Sequence, residues 1–175
     1  MPDVRHGTIA TVLGELTLVA PRDQDGDGLA AIYFPGHWHL PEQSSFGTAV
    51  DASVDELFQT VKAQLDEYFD GQRTLFTIPL VPQGNEFSHK VWAMLQDIPF
   101  GQTMTYGDIA EHLGNKHLAQ RVGQVVGRNP ISIIIPCHRV IGSDGSLTGY
   151  AGGLERKLFL LELEEPAEVT ESRLF

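Results

Sequence analysis

The stretch that organises this chain is Ile131-Ser132-Ile133-Ile134-Ile135-Pro136-Cys137-His138-Arg139-Val140. Its apolar, β-branched first half predicts a buried strand, which Pro136 ends because proline fixes its own φ and restricts the preceding residue. The only cysteine of the sequence follows, with a histidine and an arginine beside it. A thiol attacks strongly only as the thiolate, which neighbouring imidazole and cationic groups favour. Cys137 is therefore a candidate nucleophile, although a lone cysteine after an apolar run also fits a buried, unreactive residue.

The composition is that of a globular protein. Of the 175 residues, 42% are hydrophobic and 20% are charged, which suffices for one domain or two small ones with a real core. No segment approaches the roughly 20 apolar residues of a membrane span, and residues 1–6 lack the pattern of a signal peptide. One cysteine cannot form an internal disulfide, so we expect a reducing, cytoplasmic setting.

The net charge of −11 argues, taken alone, against a nucleic-acid partner. The charge is unevenly distributed, however. Residues 1–86 contain 4 Lys/Arg and 13 Asp/Glu, residues 87–157 contain 7 and 5, and residues 158–175 contain 1 and 5. The positively charged part surrounds the cysteine. An acidic lobe joined to a mildly basic lobe that touches DNA is compatible with these counts, and so is an acidic surface with no polyanion partner.

The first half of the chain predicts a small sheet and one helix. Period-two alternation over residues 7–20 indicates a hairpin with its turn near Gly14-Glu15, and residues 29–34 indicate another strand. Residues 75–81 fit an edge strand whose pairing Pro79 and Pro82 limit. Apolar residues at helical spacing from Val54 to Phe69 indicate a helix, with Ser53 and Glu56 as its capping box. His37 and His39 lack the clustered Cys or Asp of a metal site, so we expect an ordinary loop there and no metal.

From residue 87 the pattern becomes helical. A helix ends before Pro99, a second begins at the N-cap signal of Thr105 and Asp108, and a third covers residues 117–127. Two short helices joined by a tight Gly-containing turn are typical of a helix-turn-helix, although many enzymes contain such corners. After the cysteine, a Gly-rich loop over residues 148–153 leads into a last helix ending near Glu164, and it would let the backbone close over a flat ligand.

These observations predict an α/β (α+β) fold with two domains. Residues 1–84 form a small N-terminal sheet-plus-helix domain. Residues 85–175 form a mostly helical C-terminal domain with the helix-turn-helix, an active-site cysteine loop and an acidic tail after about residue 165.

The sequence resembles the 6-O-alkylguanine-DNA alkyltransferases, also called methylated-DNA–protein-cysteine methyltransferases. The matching motifs are Leu13-Gly14-Glu15-Leu16-Thr17-Leu18, Val91-Trp92, Ile98-Pro99-Phe100-Gly101, Thr105-Tyr106-Gly107-Asp108-Ile109-Ala110, Gly127-Arg128-Asn129-Pro130, Pro136-Cys137-His138-Arg139-Val140 and Thr148-Gly149-Tyr150-Ala151-Gly152-Gly153-Leu154. The resemblance covers nearly the whole chain, and in the second half the motifs match in order and spacing across about 80 residues.

The resemblance implies direct, stoichiometric repair of alkylated DNA. The protein would bind the minor groove of double-stranded DNA, flip out the damaged base, and move a methyl or other alkyl group from 6-O-alkylguanine, or from 4-O-alkylthymine, to Cys137. The family uses no organic cofactor, and each molecule reacts once because the thioether product is stable. We expect a monomer with no membrane partner.

The resemblance also implies the catalytic roles. His138 resembles the histidine that draws the thiol proton through a water, and Glu164 resembles the carboxylate that holds that histidine. Tyr106 resembles the phenol that donates a hydrogen bond to the base ring nitrogen. A displacement at a methyl carbon needs a soft, desolvated anion held in line, which Cys137 can supply.

Further residues are implied at the DNA and in the base pocket. The expected DNA-binding residues are Thr105, Ala119, Gln120, Arg121, Arg128 and the hinge residue Asn129, and the expected pocket residues are Ser132, Val140, Tyr150, Ala151 and Gly152. The family's usual arginine, which fills the space of the extruded base, is replaced here by Gln120, so we expect Gln120 to enter the gap and Arg121 to meet a phosphate. Ala151 stands where serine is frequent, which removes one possible hydrogen bond to the guanine oxygen.

Three other classes compete with this interpretation. The family's non-catalytic relatives carry another residue, usually tryptophan, at the cysteine position, and Cys137 argues against that class. A thiol hydrolase would use the same Cys, His and Glu on an acyl substrate but would turn over. A DNA-binding regulator with a redox-sensing cysteine would need a sequence-specific site and reversible oxidation.

Overall fold

The structure, a computed structural model, describes residues 4–22 and 28–166. The chain divides into two compact units, Met1–Gln83 and Gly84–Phe175. The predicted mixed fold is confirmed: the first unit contains a sheet and a helix, and the second is mostly helical. Most of the predicted acidic tail lies outside the described residues. Among the described helices, none has the length and apolar character needed to cross a membrane.

The first unit is built on a four-stranded sheet in the order β3-β2-β1-β4. The strands are β1 (Val4–Thr11), β2 (Gly14–Pro21), β3 (Ala31–Tyr33) and β4 (Thr48–Ala49). The predicted hairpin is β1–β2, although its turn lies at residues 12–13, just before Gly14. The predicted edge strand over residues 75–81 is wrong, because this Pro-interrupted segment makes a single bridge, between Leu80 and Leu29.

Helix α1 (Glu56–Phe69) covers this sheet with a buried apolar face. The predicted capping box is wrong: Asp55 is the N-cap, and its carboxylate accepts from the Phe58 amide and pairs with Arg5 at 2.6 Å. Glycine at position 7 permits the close approach of β1, because a Cβ there would lie 3.2 Å from the Phe58 ring.

Within residues 84–166, the second unit contains four α-helices and one short parallel strand pair. Its elements are α2 (Glu86–Gln96), β5 (Met104–Thr105), α3 (Tyr106–His112), α4 (Ala119–Gly127), β6 (Val140–Ile141) and α5 (Leu154–Glu164). The predicted N-cap of α3 is confirmed, since Thr105 and Asp108 form a reciprocal capping box. Gly114, at φ +94°, and a 3₁₀ turn at Lys116–Leu118 connect α3 to α4, which gives the predicted helix-turn-helix pair.

The apolar run before the cysteine is buried, as expected, but it is not a strand. Ile133 has φ +75°, and the amides of Ile134 and Ile135 bond back to Ser132 and Ile131 at 2.9 and 3.0 Å. The run is therefore a tight double turn. Burial without alternation does not distinguish a strand from such a turn, because both hide every side chain.

Candidate active site around Cys137

Cys137 begins a 3₁₀ turn, Cys137–Arg139. This turn joins the double turn of residues 131–135, which we call the isoleucine turn, to β6. Its amide donates to the carbonyl of Ile135 at 2.7 Å, and its side chain is buried. Burial raises the pKa of the Cys137 thiol, and a hydrogen bond from Asn129 and the positive charge of Lys157 act in the opposite direction. The sequence pattern points to His138 and Arg139 as the groups that favour the thiolate, whereas Asn129 and Lys157 are the side chains that lower this pKa, and burial outweighs both. In the resting protein the sulfur is a protonated thiol.

Asn129 holds the turn that presents the cysteine. Its amide nitrogen donates to the carbonyl of Ile135 at 2.8 Å and approaches that of Ile131 at 3.4 Å, while its carbonyl oxygen accepts from the Ile131 amide at 3.0 Å. These bonds replace the strand partner that this backbone lacks. Asn129 follows Arg128, the C-cap of α4, so one buried side chain links the helix-turn-helix to the cysteine turn.

His138, Glu164 and Arg139 form a buried cluster beside the thiol. His138 Nε2 lies 2.8 Å from Glu164 Oε2. The guanidinium of Arg139 donates to both oxygens of Glu164, at 2.7 and 2.9 Å, and to the carbonyl of Ile98 at 2.6 Å. The carboxylate therefore holds both side chains that follow Cys137, and α5 is anchored to the cysteine turn.

The ionisation of this cluster follows from its contacts. Burial alone would raise the pKa of Glu164, but hydrogen bonds from His138 and Arg139, together with their charges, outweigh it and lower the pKa to about 2. Burial lowers the pKa of His138, although Glu164 opposes that effect. The imidazole is then neutral, with its proton on Nε2 facing the carboxylate. Nδ1, which is buried and has no protein hydrogen-bond partner among the described residues, is the basic nitrogen.

Tyr106 is the first residue of α3, and its position follows from the capping box at Thr105. The phenol donates to the carbonyl of Thr148 at 3.4 Å and accepts from the hydroxyl of Thr148 at 3.2 Å. Burial raises the pKa of Tyr106, as does the nearby charge of Cys137, so the phenol remains a proton donor at neutral pH. Gly123 of α4 lies beside the ring, because a Cβ there would be 3.6 Å from Tyr106 Cδ1.

The expected pocket residues lie in the second unit, the same unit as Cys137. Ser132, Val140, Tyr150, Ala151 and Gly152 are all buried. Burial raises the pKa of Tyr150 well above its ordinary value, and the charge of Cys137 acts in the same direction. The carbonyl of Gly152 accepts from Arg156 at 2.9 Å.

Lys157 is a site residue that the sequence interpretation missed. Its side chain is fully buried, and Nζ donates to the carbonyls of Val140 and Thr148, at 2.7 Å each. Burial lowers its pKa to about 8, against the opposing effect of the Cys137 charge. A lysine in a helix is usually solvated, so nothing distinguished it by type. Its spacing did carry a signal: positions 157, 160 and 164 share one helical face, with Leu160 and Glu164 also buried.

The expected DNA-binding residues lie at the N-cap of α3, on α4 and in the segment after α4. Gln120, Arg121 and Arg128 are exposed, whereas Thr105 and Ala119 are half-buried. Arg121 is stacked over the ring of Phe87 in α2, with Cζ 3.9 Å from the ring centre. The Arg121 guanidinium is therefore already in contact with a side chain of its own unit, Phe87. Within the described residues, no group of three or more His, Cys, Asp or Glu side chains is placed to hold a metal ion.

Comparisons with known proteins give a consistent result over both units. The family described as 6-O-methylguanine DNA methyltransferase, ribonuclease-like domain, matches residues 4–82, and its DNA binding domain matches residues 86–166. A methylated-DNA–protein-cysteine methyltransferase of Mycobacterium bovis is 41% identical over 95% of this chain and 98% of its own length. One from Mycobacterium leprae is 48% identical over 78% of this chain and 75% of its own.

A solved structure shares the architecture. Mycobacterium tuberculosis OGT, crystallised in complex with DNA, superposes with a TM-score of 0.78 at 38% identity, over 95% of this chain and 98% of that one. Together with the family matches across both units, this similarity shows that the chain belongs to the 6-O-methylguanine DNA methyltransferase family.

Proposed function

We propose that this protein repairs DNA by transferring a methyl or other alkyl group from 6-O-alkylguanine, and also from 4-O-alkylthymine, to Cys137. The observation that carries the proposal is the only thiol of the chain, buried beside a His–Glu pair in a member of this family. The partner is double-stranded DNA that carries the alkylated base, and the M. tuberculosis relative was crystallised in complex with DNA. No feature of the comparisons favours a hydrolase or a redox-sensing regulator.

The first step is removal of the thiol proton. Because burial raises the pKa of Cys137, the proton must leave during the reaction and not before it. His138 Nδ1 is the acceptor, through the bridging water that the family resemblance implies, and Glu164 stabilises the imidazolium that forms. Arg139 keeps the carboxylate ionised for this role.

The second step is the displacement itself. The sulfur forms a bond to the alkyl carbon as the bond from that carbon to the guanine oxygen breaks, and the base leaves as an anion that takes up a proton. Tyr106, whose raised pKa keeps the phenol a proton donor, hydrogen-bonds the base ring nitrogen and stabilises that developing charge. The backbone carbonyls of Cys137 and Val140 accept from the exocyclic amine, and Tyr150 with Gly152 lines the pocket.

Base flipping precedes this chemistry. Helix α4 enters the groove, Gln120 fills the gap left by the extruded base, and Arg121 and Arg128 contact the DNA backbone. A nucleophile that acts once must stay reduced until it meets damage, so we place the protein in the cytoplasm, where thiols are kept reduced.

Intact-mass measurement tests the proposal. The protein is incubated with a duplex carrying one 6-O-methylguanine, and we expect a gain of one methyl mass, located on Cys137, that stops at one equivalent. Cys137→Ser, which preserves size but lacks a soft thiolate, should bind DNA and gain no mass. Turnover beyond one equivalent, or methylation of another residue at a comparable rate, would refute the assignment.

A further inference from the structure

The buried cations of the second unit differ in how their charges are matched. Within residues 28–166, the fully or nearly buried basic side chains are those of His138, Arg139 and Lys157, apart from His37 in the first unit. Arg139 is paired with a carboxylate through two bonds, and His138 is neutral because burial lowers its pKa. Lys157 donates to two carbonyl oxygens and has no carboxylate partner among the described residues.

A buried ammonium without a counter-charge is unfavourable, because carbonyl dipoles offset only part of the lost hydration. The groups that influence the ionisation of Cys137, or respond to its charge, are Asn129, Lys157, Tyr106 and Tyr150. Asn129 is neutral, and both phenols stay protonated at neutral pH since their pKa values are raised. The charge of Glu164 is shared between His138 and Arg139. Among the described residues, Lys157 is therefore a positive charge that acts on the sulfur and has no carboxylate partner.

The anchoring of Lys157 makes this charge a fixed one. Val140 lies three residues after the cysteine and pairs with Met104 in the β5–β6 ladder. Thr148 belongs to the Gly-rich loop, and its carbonyl also accepts from the Tyr106 phenol. The Lys157 ammonium thus connects the cysteine segment with the Gly-rich loop. Through the Thr148 carbonyl, it is also linked to the phenol of Tyr106.

We propose that Lys157 is a positioning residue that acts through Cys137: its ammonium, held by the carbonyls of Val140 and Thr148, is the counter-charge of the thiolate. His138 receives the proton, and Lys157 stabilises the anion that remains until the sulfur–carbon bond forms and the negative charge passes to the departing base. The inference rests on the proposed function for the alkyl-transfer step. The ammonium–thiolate pair itself does not depend on the DNA substrate.

The test is the pH profile of thiol alkylation in the full-length protein. Iodoacetamide reacts with the thiolate, and the single cysteine makes the mass gain specific to one site. In Lys157→Met the midpoint should move to higher pH, and the rate at pH 7 should fall by about 10- to 10³-fold, the range for loss of a neighbouring opposite charge. Lys157→Arg, which keeps the charge, should retain more of the wild-type rate than Lys157→Met.

Lys90→Met is the matched control, because Lys90 is an exposed lysine of the same unit and pairs only with Glu86 at 3.7 Å. Its profile should match that of the wild type. The fluorescence of the buried Trp92 shows whether Lys157→Met folds. A folded Lys157→Met protein with the wild-type midpoint would overturn the inference, and it would not affect the proposed repair function. Failure of the wild type to accept methyl from DNA would instead refute the proposed function alone.

A measurement on the unsubstituted chain decides the matter if Lys157→Met does not fold. Coupling between two ionisable groups is reciprocal, so ionisation of Cys137 must be visible in the titration of Lys157 if the two form a pair. Nitrogen NMR of ¹⁵N-lysine-labelled protein follows that titration before and after complete reaction with iodoacetamide. In the free protein the Lys157 signal should show its own step near pH 8 and a second step where the thiol ionises, and alkylation of Cys137 should remove the second step. The same single step before and after alkylation would overturn the inference.

Discussion

At the scale of single residues, Glu164 contacts two functional side chains of the site at once. Its carboxylate orients the proposed base, His138, and neutralises the buried charge of Arg139. These are separate roles, one in proton transfer and one in folding. Substitutions at positions 138 and 164 should therefore have different combinations of effects, although they interrupt the same hydrogen bond.

We expect His138→Phe to slow alkyl transfer by about 10²- to 10⁴-fold with a small loss of stability, since it removes a general base but leaves the Arg139–Glu164 pair. Glu164→Gln should also slow transfer, and it should cost about 3–5 kcal/mol of stability because Arg139 is left buried without its partner. Single-turnover rates and urea unfolding measure the two effects. Exposed His89→Phe is the control, and equal stability losses in both site variants would contradict this division of roles.

The depressed pKa of Glu164 has a defined effect on acid stability. A carboxyl whose folded pKa lies below its unfolded value stabilises the fold above the unfolded value, and that contribution is lost as the pH falls through the folded value. For Glu164 the window runs from pH 4.5 down to about 2, with a contribution on the order of 3 kcal/mol. Urea unfolding at several pH values should show a steeper acid loss in the wild type than in Glu164→Gln. If the unfolding free energies of the two proteins fell in parallel with decreasing pH, Glu164 would not be a source of the acid sensitivity.

At the scale of elements, the turn of residues 131–135 depends on one side chain. Asn129→Ala would leave the Ile131 amide and the Ile135 carbonyl buried without partners, at about 1–3 kcal/mol each. We expect reduced stability, faster hydrogen exchange at the Ile131 amide and slower alkyl transfer. Asn115→Ala, which removes an exposed cap at Lys116–Leu118, is a matched control. Unchanged hydrogen exchange at the Ile131 amide would show that the turn is stable without the Asn129 side chain.

The helix-turn-helix gives a second prediction at this scale. Gln120→Ala should slow repair of duplex DNA far more than reaction with free 6-O-benzylguanine, because only the duplex requires a side chain to fill the flipped-base gap. Arg121→Ala should chiefly weaken DNA binding and flatten its salt dependence, since the guanidinium already rests on Phe87. A selective flipping defect in Arg121→Ala, with none in Gln120→Ala, would make Arg121 the intercalating residue.

How far the sequence predicted these elements depended on the kind of signal. Short-range chemistry was sufficient for the α3 cap, because Thr105 and Asp108 satisfy each other locally. It failed for the isoleucine turn, whose partner is the side chain of Asn129 and not another strand. Lys157 was missed because its burial depends on carbonyls 9 and 17 residues away in the chain. The roles proposed for His138, Glu164 and Tyr106 came from family resemblance and remain predictions.

At the scale of the whole molecule, charge is distributed between the units in a way that limits DNA affinity. The chain carries −11 overall, and the segment around the site has only a small positive excess. Long-range attraction to DNA should be weak, so discrimination has to come from the pocket and from the unstacking of damaged bases. This suits a protein that must sample many undamaged sites.

We expect a shallow salt dependence for binding to undamaged duplex. Two to four phosphate contacts would give a slope of log K against log salt of about −2 to −4. Fluorescence anisotropy with a labelled duplex between low and moderate salt measures it, and Arg128→Ala should reduce the slope by about one contact. A slope steeper than about −6 would require a basic surface that the charge distribution does not provide.

The protonated resting state of Cys137 has a consequence for the working lifetime of the protein. A molecule that reacts once is wasted by any stray electrophile or peroxide that reaches its sulfur first. Such reagents attack the thiolate, and burial suppresses that form until the damaged base arrives. The raised pKa of the Cys137 thiol thus slows its reaction with free electrophiles and lengthens the time for which the protein stays active. The buried setting of Cys137 preserves the thiol for the single reaction in which it is consumed.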